Sequence, residues 1–183
     1  CRRHRFSQLL KYYNMNAKQI ENAYSVAKAR YAEFGIDTDK AIEVLDSISI
    51  SLHCWQTDDV HGFENPDGEL TGGIQATGNY PGRARTIEEV RKDIEKVKTL
   101  LPGNHRLSLH AIYGDFGGKP VDRDQIEPAH FQSWIDWAKA NNMKLDFNST
   151  SFSHPKSGDM TLAHRDKAIR DFWIEHTIRS RKI

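Results

Sequence analysis

From Met15 onward the apolar residues fall at helical spacing, with Ile20, Ala23, Tyr24, Ala27, Tyr31 and Phe34 along one stripe. Asn16 and Gln19 ahead of it have the spacing of a capping box, and Gly35 behind it suits a C-cap. A short second helix is expected after Asp37, with Ile42 and Leu45 turned inward. At 48–55 the period changes to two. Ile48, Ile50, Leu52 and Cys54 alternate with Ser49, Ser51, His53 and Trp55, which predicts a strand. A long stretch from Gln56 to about Arg85 follows, carrying Gly62, Gly68, Gly72, Gly73, Gly78 and Gly82 with Pro66 and Pro81. Structureless stretches of that length inside a compact domain are uncommon and usually functional.

Thr86 and Glu89 then predict a second capping box, ahead of a stripe of Ile87, Val90, Ile94, Val97 and Leu101 that Pro102 and Gly103 stop. Leu107 to Tyr113 reads as the second strand. A loop with Gly117, Gly118 and Pro120 leads to a third amphipathic helix, Pro128 in its first turn and Phe131, Trp134, Ile135 and Ala138 inward. Met143, Leu145 and Phe147 mark a third strand. Thr161 to about Arg181 is expected to be helical, carrying Ile169, Phe172 and Trp173.

The order is a helical lead followed by three strand–loop–helix units, which predicts an α/β fold with a parallel sheet. Three parallel strands alone make a small open sheet, but they are also the opening three units of a (β/α)₈ barrel, which typically needs about 250 residues. The last residues, RSRKI, close a helix with no strand after them. The expectation is a truncated TIM barrel, its first three βα units preceded by an N-terminal helix.

Composition narrows the class without naming the chemistry. The 183 residues are 38% hydrophobic and 28% charged, with a formal net charge of +1, so there is no electrostatic case for nucleic acid or an anionic membrane surface. No apolar run approaches the roughly 18 residues of a membrane span. Cys1 and Cys54 make no disulfide framework, and a reducing cytoplasm is the default setting. The segment CRRHRFSQLLKYYN is basic, lacks an acid and lacks a clean apolar core. Residues 1–14 are expected to be a disordered upstream extension, with 15–183 the barrel portion.

In a parallel barrel the site lies at the carboxyl ends of the strands. The first strand ends His53-Cys54-Trp55-Gln56 and runs into Asp58-Asp59. The second carries His110, and the third ends Asp146-Phe147-Asn148 ahead of Phe152-Ser153-His154-Pro155. Aromatics beside His, Asp and Asn suit a small polar ligand with apolar faces. Each has a blander reading: His53 and His110 as hydrogen-bonded core histidines, Trp55 as packing, Asp58-Asp59 as a solvated turn, His154-Pro155 as the end of a loop. Cys54 reads as a small buried hydrophobe. GELTGG lacks the Lys-Ser/Thr pair of a phosphate loop, and no HExxH, GxSxG or GxGxxG occurs.

Four blocks carry a resemblance: SLHCWQTDDVHGFENPDGELTGGIQATGNYPG at 51–82, LSLHAIYG at 107–114, DRDQIEPAHFQSWIDWAKANN at 122–142 and LDFNSTSFSHP at 145–155. Together they resemble the L-rhamnose isomerase family, from about Met15 to the end. The resemblance implies a xylose-isomerase-like (β/α)₈ barrel, dependent on manganese and homotetrameric at full length, that interconverts L-rhamnose and L-rhamnulose. It implies sugar-binding roles for Trp55 and His110, and a pocket for the 6-methyl group made by Val60, Leu70, Ile112 and Tyr113. Phe152 would be a further wall residue, and 56–85 a cover over the site. The metal ligands and catalytic acids would lie on later strands, with none in this chain. Two other readings stay open: a non-catalytic sugar-binding module, and an isomerase acting on another aldose.

Overall fold

The computed structural model describes residues 16–64, 82–158 and 160–183. The predicted extension at 1–14 and much of the predicted cover, including Leu70, lie outside the described residues. The chain divides into two compact units, 1–48 and 49–183.

In the first unit, helix α1 (Ala17–Ala32) starts at the expected capping box. The Asn16 side chain accepts the Gln19 N–H at 3.0 Å, and the Gln19 side chain accepts the Asn16 N–H at 3.0 Å. Gly35, at φ 75°, sits in the left-handed turn that ends the helix. Helix α2 (Thr38–Asp46) is capped by Asp37, whose carboxylate accepts the Lys40 N–H at 3.1 Å. The Tyr24 hydroxyl donates to Asp39 at 2.5 Å, and Lys28 forms an ion pair with the same carboxylate. Ile42 and Leu45 do not turn inward as expected. Neither helix has a buried residue, and Ile20, Tyr31, Phe34, Ile42 and Leu45 are all exposed. An amphipathic stripe specifies that a face requires cover, not which element supplies it.

The second unit holds strands β1 (Ile50–His53), β2 (His105–His110) and β3 (Lys144–Asn148) in one parallel sheet of order β1-β2-β3. Ser51 pairs with Arg106, His53 with Ser108, Ser108 with Asp146, and His110 with Asn148. This register places Ser51, His53, Arg106, Ser108, His110, Asp146 and Asn148 on one face and Leu52, Leu107, Leu109, Leu145 and Phe147 on the other. The apolar face is the core. Helix α3 (Ile87–Lys98) adds Val90 and Ile94, helix α4 (Gln132–Ala140) adds Trp134 and Ala138, and Phe131 and Met143 complete it. The polar face is held by Asp146, which accepts from Arg106 Nε at 2.8 and 2.9 Å and from the Ser51 hydroxyl at 2.7 Å.

Several boundaries shift for local reasons. Strand β2 stops at His110, because Ala111–Tyr113 coil into a 3-10 turn. The third predicted helix begins as a 3-10 turn at Pro128–Phe131 before becoming α4. Helix α5 (Lys167–Ser180) starts only where the Asp166 carboxylate accepts the Ala168 N–H at 2.9 Å. Only half of the Thr86 capping box forms. The Thr86 hydroxyl accepts the Glu89 N–H at 3.2 Å, while the Glu89 carboxylate takes the Arg85 N–H instead, at 2.6 Å.

Candidate sugar-binding wall

The turns that leave β1 and β2, and the loop that leaves β3, gather one aromatic cluster at the carboxyl end of the sheet. Trp55 lies in the 3-10 turn Cys54–Gln56, directly after β1. Its ring stacks on His110, the last residue of β2, with centroids 5.1 Å apart and planes at 29°. His53 tilts against Trp55 at 4.8 Å, and Phe152 meets His110 edge-on at 6.2 Å. Three of the predicted wall residues, Trp55, His110 and Phe152, are thus brought together.

His110 is only 2% exposed. Its Nδ1 is 3.0 Å from the Thr150 hydroxyl, and its Nε2 is buried with no hydrogen-bonding partner among the described residues. Burial, and then the nearby His53 and Arg123, hold this imidazole down to about 4, so it is neutral near pH 7. The Trp55 Nε1–H is likewise buried and, among the described residues, unpartnered. A buried polar group left unpaired costs about 1–3 kcal/mol, so two side by side call for an explanation.

Val60, Ile112 and Tyr113 are all buried, and one carboxylate binds both Val60 and Tyr113. Asp58 accepts the Val60 N–H at 3.1 Å, the Gly62 N–H at 2.6 Å and the Tyr113 hydroxyl. The solvated turn expected at Asp58 is therefore corrected to a buried clamp. Burial pushes its carboxyl up, against the three donors that pull it down. The clamp holds Asp59 and Val60 at φ 60° and 71°, a conformation strained for a β-branched side chain. The Phe63 and Glu64 N–H groups then both donate to the Ile112 carbonyl, at 2.6 and 3.1 Å, joining this loop to the turn after β2. Cys54 is fully buried, as expected, and burial pushes its thiol well above the usual range.

The sequence pattern missed Arg123, which is 1% exposed. Its Nε and Nη2 pair with Glu64 at 3.0 and 2.9 Å, and Nη1 donates to the carbonyls of Thr150 and, at 2.7 Å, Phe152. His176 of α5 lies behind it, with Nδ1 2.8 Å from the Arg123 carbonyl and Nε2 against the Ser149 carbonyl. The loop 149–153 is therefore fixed from within by side chains remote in sequence. His154 closes that loop as the blander reading has it: Nε2 lies 3.0 Å from Asp122, and Nδ1 accepts the Lys156 N–H at 3.1 Å.

A family model described as L-rhamnose isomerase (RhaA) matches residues 18–183. The chain belongs to the L-rhamnose isomerase family. The L-rhamnose isomerase of Bacteroides thetaiotaomicron is 61% identical over 166 residues, which is 91% of this chain and 40% of that protein. Those of Citrobacter koseri and Escherichia coli O139:H28 are 57% and 56% identical over 166 residues, in each case 90% of this chain and 39% of the relative. The chain thus spans about 40% of the length of these L-rhamnose isomerases.

The manganese that the resemblance implies finds no fitting donor set among the described residues, where no group of three or more His, Cys, Asp or Glu is placed to hold a metal ion. The acids near the wall are otherwise engaged: Asp58 by its loop, Glu64 by Arg123 and Asp146 by Arg106.

Proposed function

We propose that this chain supplies the substrate-facing wall of an L-rhamnose isomerase that exchanges carbonyl and hydroxyl between C1 and C2. In this reading residues 15–183 are the opening three βα units of a xylose-isomerase-like (β/α)₈ barrel. The manganese ligands and catalytic acids come from the portion of the relatives that the chain does not span. The assembled enzyme is a cytoplasmic homotetramer.

One observation carries the reading: the Trp55 Nε1–H and His110 Nε2, unpartnered among the described residues, lie on adjacent stacked rings. The first can only donate, and the neutral imidazole can accept. A hydroxyl group does both, so a polyol is the ligand class that complements the pair. The half-buried faces of Trp55 and Phe152 give the apolar surface against which sugar C–H groups pack. Val60, Leu70, Ile112 and Tyr113 are the proposed surroundings of the 6-methyl group. Burying one methyl group favours the deoxy sugar by roughly 1 kcal/mol, while a hydroxyl placed there loses its hydrogen bonds. The segment 56–85 is proposed as the cover that keeps water from the site.

What these residues do is bind, orient and exclude water, and the rearrangement itself falls to groups elsewhere. The test is a chimera in which residues 18–183 replace the matching stretch of the Bacteroides thetaiotaomicron enzyme. Steady-state rates on L-rhamnose, L-mannose and L-lyxose should keep L-rhamnose first. A folded chimera inactive on L-rhamnose, or one that prefers another aldose, would overturn the proposal.

A further inference from the structure

We propose that Thr150 is a positioning residue that fixes the tautomer of His110, so that the imidazole presents an unprotonated Nε2 to receive a hydroxyl proton from the ligand. The identity of that ligand rests on the sugar-site reading above, but the tautomer does not.

The protons around one oxygen decide the tautomer. The Thr150 hydroxyl has one proton to give and lone pairs to accept with. Three groups surround it. The Asn148 carbonyl, at 3.2 Å, can only accept. The Ala111 N–H, at 3.0 Å, can only donate. The third is His110 Nδ1, at 3.0 Å, which can do either. If the hydroxyl proton goes to Asn148, every contact is satisfied only when Nδ1 carries a proton and donates it. If the proton goes to Nδ1 instead, two oxygens face each other at 3.2 Å with none between them. The first arrangement wins, and in a neutral imidazole it leaves Nε2 bare. An unpaired buried acceptor is also more readily tolerated than an unpaired buried N–H. The low proton affinity of His110 excludes the doubly protonated form near neutrality.

The backbone supports a dedicated role. Thr150 is fully buried at φ 56°, where a β-branched residue is strained by about 1–2 kcal/mol. The conformation is imposed from three sides. The Asn148 side chain accepts the Thr150 N–H at 2.8 Å, Arg123 donates to the Thr150 carbonyl, and His176 lies against the Ser149 carbonyl. Strain maintained by so many partners marks a side chain whose placement matters.

The measurement is two-bond ¹H–¹⁵N correlation NMR on the full protein containing this chain, with ¹⁵N-histidine labelling and His110 assigned by its loss in His110→Asn. From about pH 6 to 8 the His110 signals should show a protonated Nδ1 and a bare Nε2. Thr150→Ser should keep this pattern. Thr150→Val, which removes the hydroxyl at nearly constant shape, should lose it. Thr150→Val should also lower kcat/KM for L-rhamnose by about tenfold, the worth of one misplaced hydrogen bond, with Thr150→Ser restoring most of it. A wild-type Nε2–H tautomer would overturn the proposal, and so would an unchanged pattern in Thr150→Val. Should Thr150→Val fail to fold, the wild-type spectrum still decides. A protein with the Nδ1–H tautomer that does not turn over L-rhamnose would sink the sugar reading and support this one.

Discussion

Arg123 and Glu64, 59 positions apart in sequence, form a two-pronged ion pair with Nε to Oε1 at 3.0 Å and Nη2 to Oε2 at 2.9 Å. The pair joins the end of the loop that Asp58 clamps to the loop that carries Thr150 and Phe152. Because Arg123 is 1% exposed, its energetics are those of a buried charge. Removing one partner leaves the other uncompensated, which costs about 3–5 kcal/mol. Arg123→Met should therefore lose that much in chemical denaturation, with Glu64→Gln less severe because Glu64 retains some exposure. Arg123→Lys should rescue charge but not the fork, since a single ammonium cannot serve Glu64 and two carbonyls in the same plane. Full stability in Arg123→Met would contradict the assigned role.

Gly62 should tolerate no side chain. It sits at φ 64°, and a Cβ there would lie 2.6 Å from both Ile112 Cγ1 and the Ile112 carbonyl oxygen. Gly62→Ala should cost about 2–4 kcal/mol, combining a left-handed alanine with overpacking. Gly117→Ala is the control, because it shares the positive φ at 58° but meets nothing within 4 Å. It should cost about 1–2 kcal/mol. Equal losses in thermal denaturation would mean that the contact with Ile112 is not as described.

Acid should destabilise the protein through His110. Its folded-state pKa, about 4, lies below the ordinary 6.5. Between those values the unfolded chain binds a proton that the folded chain refuses, so stability rises with pH across that window. The contribution is complete above about pH 6.5 and is lost as the pH falls toward 4, to a total of roughly 3 kcal/mol. His110→Asn should flatten that part of the stability profile. An unaltered acid limb in His110→Asn would contradict a buried neutral imidazole.

Much of this fold is legible as periodicity. The three strands, the Asn16 capping box and the helix after Asp37 follow from spacing and side-chain chemistry. The strand ends bring Trp55, His110 and Phe152 forward as rim candidates, whose sugar-binding role is what the family resemblance implies. Arg123, Thr150 and Asp58 do not. Arg123 is buried because the carbonyls of Thr150 and Phe152 point inward, which depends on left-handed turns that no hydrophobic pattern encodes. Asp58 looks like any loop acid until the backbone N–H groups of Val60 and Gly62 close around it. Ile42 and Leu45 show the converse: a clear stripe whose covering partner the pattern does not name.

Ile112→Asn tests the proposed methyl pocket in the assembled enzyme. A polar side chain at this buried position should penalise L-rhamnose more than L-mannose, which carries a hydroxyl at C6. The ratio of kcat/KM values should shift toward L-mannose by about fivefold to tenfold. Equal losses on both sugars would place the methyl group elsewhere.

If the unpaired polar atoms beside His110 exist for sugar hydroxyls, Trp55→Phe is the decisive substitution. The substitution keeps an aromatic face beside His110 and deletes a buried N–H that has no partner among the described residues. With that unpaired donor gone, the folded enzyme should be at least as stable as before. At the same time kcat/KM for L-rhamnose should fall by about tenfold. Unchanged kcat/KM with a lowered melting temperature would contradict the account, because the indole N–H would then serve the fold and not the substrate.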